Sequence, residues 1–117
     1  MMNLKTWKKS KEVEKDKMKL LTKALKDKLT TNHYNQDESK INKAIVKLFN
    51  PSGVGTWYLS ELDPETNIAF GLCDLGDPEL GYVSIDELSE VRGFMGLGIE
   101  RDLHFQPTKL EDLMRGK

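Results

Sequence analysis

The chain has 117 residues, a mass of 13.4 kDa and a formal net charge of −1 at neutral pH, which fits one domain with one modest core. A single cysteine, Cys73, excludes an internal disulfide and a cysteine-rich metal site. No segment approaches the ~20 consecutive apolar residues that a membrane-spanning helix needs, and the first residues lack the apolar run of a secretion signal. We therefore expect a cytoplasmic protein with no membrane attachment.

Charge is unevenly distributed along the chain. Residues 1–43 carry twelve lysines and six acidic residues, whereas residues 44–117 carry six basic and thirteen acidic residues. A basic segment of this kind can bind nucleic acid, but it can also pack against the acidic part of its own chain or present a solvated helix face. The charge pattern alone favours the second explanation.

The first predicted element is an amphipathic helix over residues 15–31. Apolar residues recur there at steps of three and four positions, with lysines on the other faces; they are Met18, Leu21, Leu25 and Leu29. Residues 1–14 lack this periodicity and are predicted to form a flexible basic arm. Residues 31–42 combine turn formers with charge and are predicted to form a loop. The predicted organisation is an arm over 1–14 and a single domain over 15–117.

From residue 44 the apolar period changes to two, which predicts β-strands. Three strands are expected in the sequences AIVKLF (44–49), TWYLSELD (56–63) and IAFGLCDL (68–75), and a fourth is expected to begin near Leu80. The Asn, Pro and Gly residues of NPSGVG and DPETN suit tight turns between these strands. Short strands on tight connections predict an antiparallel meander.

Two short helices are expected in the last third of the chain. Ser84 and Glu87 form an S-x-x-E capping pattern before a predicted helix at 85–92, and Gly93 suits the left-handed position after its end. The same capping pattern opens a C-terminal helical turn, at Thr108 and Glu111. The predicted fold class is α+β, with the N-terminal amphipathic helix packed on a small, mainly antiparallel sheet of four or five strands, followed by two short C-terminal helices.

The sequence GIERDLHF (98–105) holds the main candidates for chemistry. As a strand it would place Glu100, Asp102 and His104 on one face and Arg101 on the apolar face. Glu100 and His104 are roughly 13 Å apart along such a strand, too far to share a metal ion. Asp102 could orient the imidazole of His104, as in a small hydrolase-like enzyme. The simpler hypothesis is structural and places Arg101 in a partly buried ion pair, with Glu61 or Glu79.

No complete catalytic or cofactor motif accompanies these residues. An enzyme would also need a nucleophile or an activated water, and the sequence gives Cys73 no cationic neighbour to stabilise a reactive thiolate. The glycines of GFMGLG (93–98) do not have the spacing of a nucleotide-binding loop, and DLGDPELG lacks the ligand pattern of an EF-hand. We therefore expect no cofactor and no metal, and we favour a structural role for GIERDLHF over an enzymatic one.

Nucleic-acid binding is the alternative role for the basic arm. Lysines surround a tryptophan there, a combination that can contact phosphates and stack on a base; the residues are Lys5, Trp7, Lys8, Lys9 and Lys11. The acidic second half of the chain opposes this role because it repels phosphates.

Several motifs between residues 47 and 107 carry a family resemblance. KLFNP, TWYLSELDPE, IAFGLCDLGDPELGYVSIDEL and GIERDLHFQPTK occur in that order, and this region resembles a bacterial family known as domain of unknown function 2958. The resemblance implies a cytoplasmic bacterial protein, often encoded on plasmids and other mobile elements. It implies no activity and no catalytic residues.

We expect a non-enzymatic accessory or interaction protein of a bacterial mobile element. This expectation combines the lack of a complete catalytic motif, the amphipathic helix with its surplus of lysines, and the setting that the resemblance implies. The protein would act through a protein partner or through self-association of the 15–31 helix. Nucleic-acid binding through the arm and hydrolase-like chemistry at Asp102 and His104 stay open as alternatives.

Overall fold

The central element is an antiparallel sheet, seen in a computed structural model that describes residues 20–35 and 42–116. The predicted arm (1–14) and the start of the predicted helix (15–19) lie outside these residues. The strands of the described part are β1 (Lys43–Ala44), β2 (Val46–Phe49), β3 (Thr56–Asp63), β4 (Ile68–Asp74), β5 (Pro78–Ser84), β6 (Glu100–Arg101) and β7 (Thr108–Lys109). Five of them form one sheet of order β5-β4-β3-β2-β6, and β1 pairs with β7.

The observed strands agree closely with the predicted ones. β3 has the predicted bounds, β4 ends one residue early, and β5 begins at Pro78, two residues before Leu80. The predicted first strand is interrupted at Ile45, because Ala44 pairs with β7 whereas Val46 pairs with β3. Each of β2 to β5 is antiparallel to the next, which confirms the predicted meander.

The first described helix, α1 (Lys23–Tyr34), begins later and ends later than the predicted helix. It follows Thr22, whose side-chain oxygen accepts a hydrogen bond from the Leu25 N–H at 3.2 Å and so caps the helix. The predicted loop is wrong for residues 32–34, which complete the last helical turn. Asn32 in that turn donates a hydrogen bond to the backbone of β3, and this tertiary contact outweighs the low helix propensity of the sequence TNHY.

The second helix, α2 (Ile85–Glu90), has the predicted cap, since the Ser84 hydroxyl oxygen accepts a hydrogen bond from the Glu87 N–H at 3.2 Å. It ends two residues before the predicted end. The left-handed conformation predicted at Gly93 is wrong, because Gly93 has φ −102° and the left-handed residues of this loop are Met95 and Gly96.

The third helix, α3 (Leu110–Met114), lacks the predicted threonine cap. Thr108 belongs to β7, where it pairs with Ala44, and its hydroxyl donates to the Gln106 carbonyl instead. The residue before the helix is Lys109, which provides no side-chain cap. In the described part of the chain, no helix is long and apolar enough to cross a membrane.

One face of the sheet, which we call the closed face, is covered by α1 and α2. Leu48 and Leu59 on the sheet pack with Leu29 of α1 and Leu88 of α2 in the largest buried cluster. Arg101 lies on this face as well, because it is the cross-strand partner of Leu48 and paired residues point to the same side. This cluster forms the core of the domain.

The opposite face, which we call the open face, is covered only in part. Tyr58 and Leu72 are cross-strand partners there, and they pack against Leu110 of α3 and against Phe105. Closer to the β3–β4 turn, the open-face side chains of Ile68 and Tyr82 are not covered by α3 or Phe105 and stay exposed. The fold therefore buries one face of the sheet and leaves part of the other accessible.

Candidate functional site

The predicted strand in GIERDLHF ends at Arg101. After that residue the chain turns, because the Asp102 carboxylate accepts a hydrogen bond from the His104 N–H at 2.9 Å and the Asp102 carbonyl accepts one from the Phe105 N–H at 3.4 Å. An aspartate that bonds two residues ahead in this way favours a turn over a strand. The prediction that Glu100, Asp102 and His104 share one strand face is therefore wrong.

The two candidate catalytic residues lie on this turn. Asp102 is half-buried and its second carboxylate oxygen lies 3.8 Å from the Lys47 ammonium group, while the His104 side chain is exposed. The contacts of Asp102 are thus a backbone amide and a lysine, and neither residue lines a described cavity. This arrangement provides the turn with a stable geometry and gives no support to a hydrolase-like role.

Arg101 holds the start of the described chain against the sheet. Its guanidinium donates a hydrogen bond of 2.6 Å to the Leu20 carbonyl. The structure does not bring it to either predicted carboxylate. Glu79 is aligned with Arg101 at the other end of the sheet, four strand spacings away or roughly 19 Å, and Glu61 contacts His33.

Other candidate residues fall into two groups. The proposed nucleic-acid contacts lie outside the described residues, namely Lys5, Trp7, Lys8, Lys9 and Lys11. Cys73 packs against the closed-face core, and burial raises the pKa of its thiol above the ordinary value, which disfavours the reactive thiolate. In residues 20–35 and 42–116, no group of three or more His, Cys, Asp or Glu side chains is arranged to hold a metal ion.

The described part of the chain has a groove on the open face, which the sequence did not single out. It consists of a cavity of about 800 Å³ and an adjoining one of about 330 Å³ that share Phe70. We call it the open-face groove and define its apolar lining as Ile45, Ile68, Phe70, Leu80, Tyr82 and Met114.

The apolar lining arises from the alternation of β4 and β5. Phe70 and Tyr82 are cross-strand partners with ring centroids 5.1 Å apart, a pairing that stabilises antiparallel sheets. Four lining side chains stay accessible, with exposed fractions of 75% for Tyr82, 49% for Leu80, 47% for Met114 and 38% for Ile68. Contiguous apolar exposure of this kind is typical of binding surfaces.

The two ends of the open-face groove differ in charge. At one end Lys43 and Lys109 are directly opposite each other in the β1–β7 pair, with Glu111 in the same cavity. At the other end the His33 Nδ1 atom lies 3.3 Å from a Glu61 carboxylate oxygen, and its Nε2 atom lies 4.0 Å from an Asp63 oxygen. Two carboxylates against one imidazole make this end negative whether or not the ring is protonated.

One signal in the sequence could have revealed the groove. IAFGLCD has apolar residues at both parities of the strand, with the large side chains of Phe70 and Leu72 on one face and the small side chain of Ala69 on the other. A strand with apolar residues on both faces requires cover on both faces. The sequence predicts one helix after β5 that is long enough to cover a sheet face, and this helix, α2, packs on the closed face. The open face therefore lacks cover from it.

Comparisons with known proteins identify a family and no closer relative. The family model described as "Protein of unknown function (DUF2958)" matches residues 20–112, which confirms the resemblance seen in the sequence motifs. No curated protein and no solved structure matches the chain. The matched region contains all of the apolar lining except Met114.

Proposed function

Since the chain belongs to the DUF2958 family, whose description assigns no reaction, we propose from its surface that it is a non-enzymatic interaction protein. Its open-face groove binds an apolar segment of a protein partner. The observation that carries this proposal is the accessible aromatic pair Phe70 and Tyr82 at the centre of a groove with oppositely charged ends.

The apolar lining provides the main driving force for binding. Removing apolar surface from water contributes about 25 cal/mol per Å², and aromatic side chains in a recess are typical anchors of protein interfaces. The larger cavity has the volume of a ligand pocket and accepts several apolar side chains. A partner segment with two or three large apolar residues therefore fits the centre of the groove.

The charged ends provide orientation. Lys43 and Lys109 are like charges directly opposite each other, which is destabilising in a sheet, and an acidic residue of the partner would offset this repulsion. At the other end, Glu61 and Asp63 favour a basic residue of the partner. The same two carboxylates repel a phosphate backbone, so the groove favours a polypeptide over a nucleic acid.

The cellular setting of the partner is part of the proposal. The sequence motifs resemble those of bacterial proteins encoded on plasmids and other mobile elements, so the partner would be a cytoplasmic protein encoded on the same element or a host protein that the element engages. The charge pattern of the groove gives the segment to seek in such a protein: an acidic residue, two or three large apolar residues, and a basic residue.

Selection from a displayed library of random peptides about twelve residues long tests this proposal with the purified full chain. We expect enriched peptides to share the acidic, apolar and basic order. Met114→Lys should abolish their binding, because it places a charge in the apolar lining. Leu97→Lys is the matched control, since Leu97 is 46% exposed and lies outside both cavities. Enriched peptides that bind the Met114→Lys and wild-type chains equally would contradict the proposal.

A further inference from the structure

The outer edge of β5 has no strand partner among residues 20–35 and 42–116. β5 ends the order β5-β4-β3-β2-β6, and no other strand of the described part of the chain pairs with its outer side. Natural edges are commonly protected from pairing by lysine, proline, a bulge or a very short strand. β5 has seven residues and an unbroken register with β4, and its sequence from Leu80 to Ser84 contains neither charge nor proline. Its central part therefore lacks these protections.

The ladder between β4 and β5 fixes which backbone groups point outward. The Ile85 N–H donates to the Asn67 carbonyl at 3.0 Å, one step beyond the pair of Ile68 with Ser84. Hydrogen-bonded and non-hydrogen-bonded pairs alternate in an antiparallel ladder, so Gly81 bonds to β4 whereas its two neighbours direct their N–H and C=O groups outward. Those neighbours are Leu80 and Tyr82.

We propose that β5 pairs antiparallel with β5 of a second copy of this chain, about a two-fold axis at Gly81. In this register Leu80 lies opposite the partner's Tyr82, and Tyr82 lies opposite the partner's Leu80. In each of these pairs, the outward N–H group of one residue donates a hydrogen bond to the outward C=O group of the other. The same pairing brings together the half-exposed leucine and the exposed tyrosine side chains on the open face, an aliphatic and aromatic pair of the kind that stabilises sheets.

Other two-fold registers of the same edge are less favourable. An axis at Glu79 sets two like charges opposite each other, and an axis at Leu80 sets Tyr82 opposite the partner's Pro78, which has no N–H to donate. An axis at Tyr82 sets Leu80 opposite the partner's Ser84 and leaves the leucine without an apolar partner. The axis at Gly81 has neither the like-charge contact nor the unpartnered leucine, and it moves the proline to the last pair of the ladder, where Pro78 lies opposite the partner's Ser84. A two-fold contact of this kind closes as a dimer.

This dimer goes beyond the proposed groove function and does not depend on the partner of the groove. It joins the two sheets edge to edge and places the two open-face grooves side by side on a continuous surface. Dimerisation is independent of the predicted self-association through the helix at 15–31, because it uses only the β5 edge.

Sedimentation equilibrium of the full chain from micromolar to hundreds of micromolar concentration tests the dimer. We expect the wild-type chain to reach twice its mass of 13.4 kDa. Tyr82→Pro removes an outward N–H that β4 does not use, so it should yield a folded monomer. A wild-type chain that stays monomeric throughout, or a Tyr82→Pro chain that dimerises like the wild type, would overturn the proposal.

Charge substitutions at the same two positions test the register without a change of backbone. Both L80K/Y82K and L80E/Y82E should be monomeric alone because like charges face each other, and mixing the two should give a heterodimer. L80K/Y82E should dimerise by itself, since each lysine then faces a glutamate. Far-UV circular dichroism confirms that each variant is folded. Dimerisation of L80K/Y82K alone at wild-type strength would overturn the proposal and place the contact elsewhere.

Discussion

The two faces of the sheet both carry apolar side chains, and they differ in the helices that cover them. On the closed face, Leu48 and Leu59 are fully buried under α1 and α2. On the open face, Ile68 and Tyr82 occupy equivalent positions on neighbouring strands and remain accessible. Among the described residues, the helix that packs on that face is α3, which has five residues, and the last turn of α1 contributes Asn32 and His33 to the groove lining. A sheet with apolar residues on both faces and one complete covering layer leaves part of the other face accessible.

The largest expected effect concerns Gly71, at the centre of the closed face. A Cβ atom there would overlap the Tyr58 carbonyl oxygen and lie 2.9 Å from the Leu59 Cα atom, so the backbone of β3 would have to move. We expect Gly71→Ala to lower the free energy of unfolding by about 4 kcal/mol or more, measured by urea denaturation.

The matched control is Gly81→Ala, because Gly81 is the cross-strand partner of Gly71 and a Cβ atom there has no neighbour within 4 Å. At protein concentrations low enough for the chain to be monomeric, where the proposed contact at Gly81 is not made, we expect this substitution to change the free energy of unfolding by less than about 0.5 kcal/mol. Similar losses at the two glycines would contradict the view that the closed face is tightly packed at β4 and open at the β5 edge.

A second comparison truncates one apolar side chain on each face. Leu59→Ala should cost about 3 kcal/mol because it leaves a cavity in the core. Ile68→Ala should cost less than about 1 kcal/mol, since the isoleucine is partly exposed in the absence of a partner. Urea denaturation of both variants checks this difference, and equal losses would show that the open face is covered in the free protein.

The smallest expected effect concerns the bulge in β3, between Leu59 and Glu61. The Asn32 side-chain amide donates a hydrogen bond of 2.9 Å to the Ser60 carbonyl, and Ser60 is fully buried. Asn32→Ala should therefore cost about 1–2 kcal/mol, the usual effect of leaving a buried acceptor unsatisfied.

Thr31→Ala is the control for this substitution, because the exposed Thr31 hydroxyl bonds only within its own helix, to the Asp27 carbonyl. It should change stability by less than about 0.5 kcal/mol. If both substitutions had the same effect, the last turn of α1 would not depend on its contact with β3.

The sequence predicted those parts of the fold that depend on neighbouring residues. The period of two in TWYLSELD was sufficient to predict β3, and the Ser84 cap was sufficient to predict where α2 begins. Predictions were wrong where distant contacts or local side-chain hydrogen bonds determine the backbone conformation. The last turn of α1 is helical because it bonds to β3, and the chain turns after Arg101 because the Asp102 carboxylate accepts a backbone hydrogen bond. The candidate site was missed for a related reason: Leu80 and Met114 line the same cavity only because the fold packs α3 against β4, the neighbour of β5.

Affinity measurements with reversed charges test most directly the claim that the open-face groove binds a polypeptide in a fixed orientation. A peptide selected on the wild-type chain should bind the Lys43→Glu/Lys109→Glu variant about tenfold more weakly at low salt. Replacing the acidic residue of that peptide by lysine should restore binding to the variant and weaken binding to the wild type. If both chains bind both peptides with the same affinity in isothermal titration, the groove does not orient its partner and the account is contradicted.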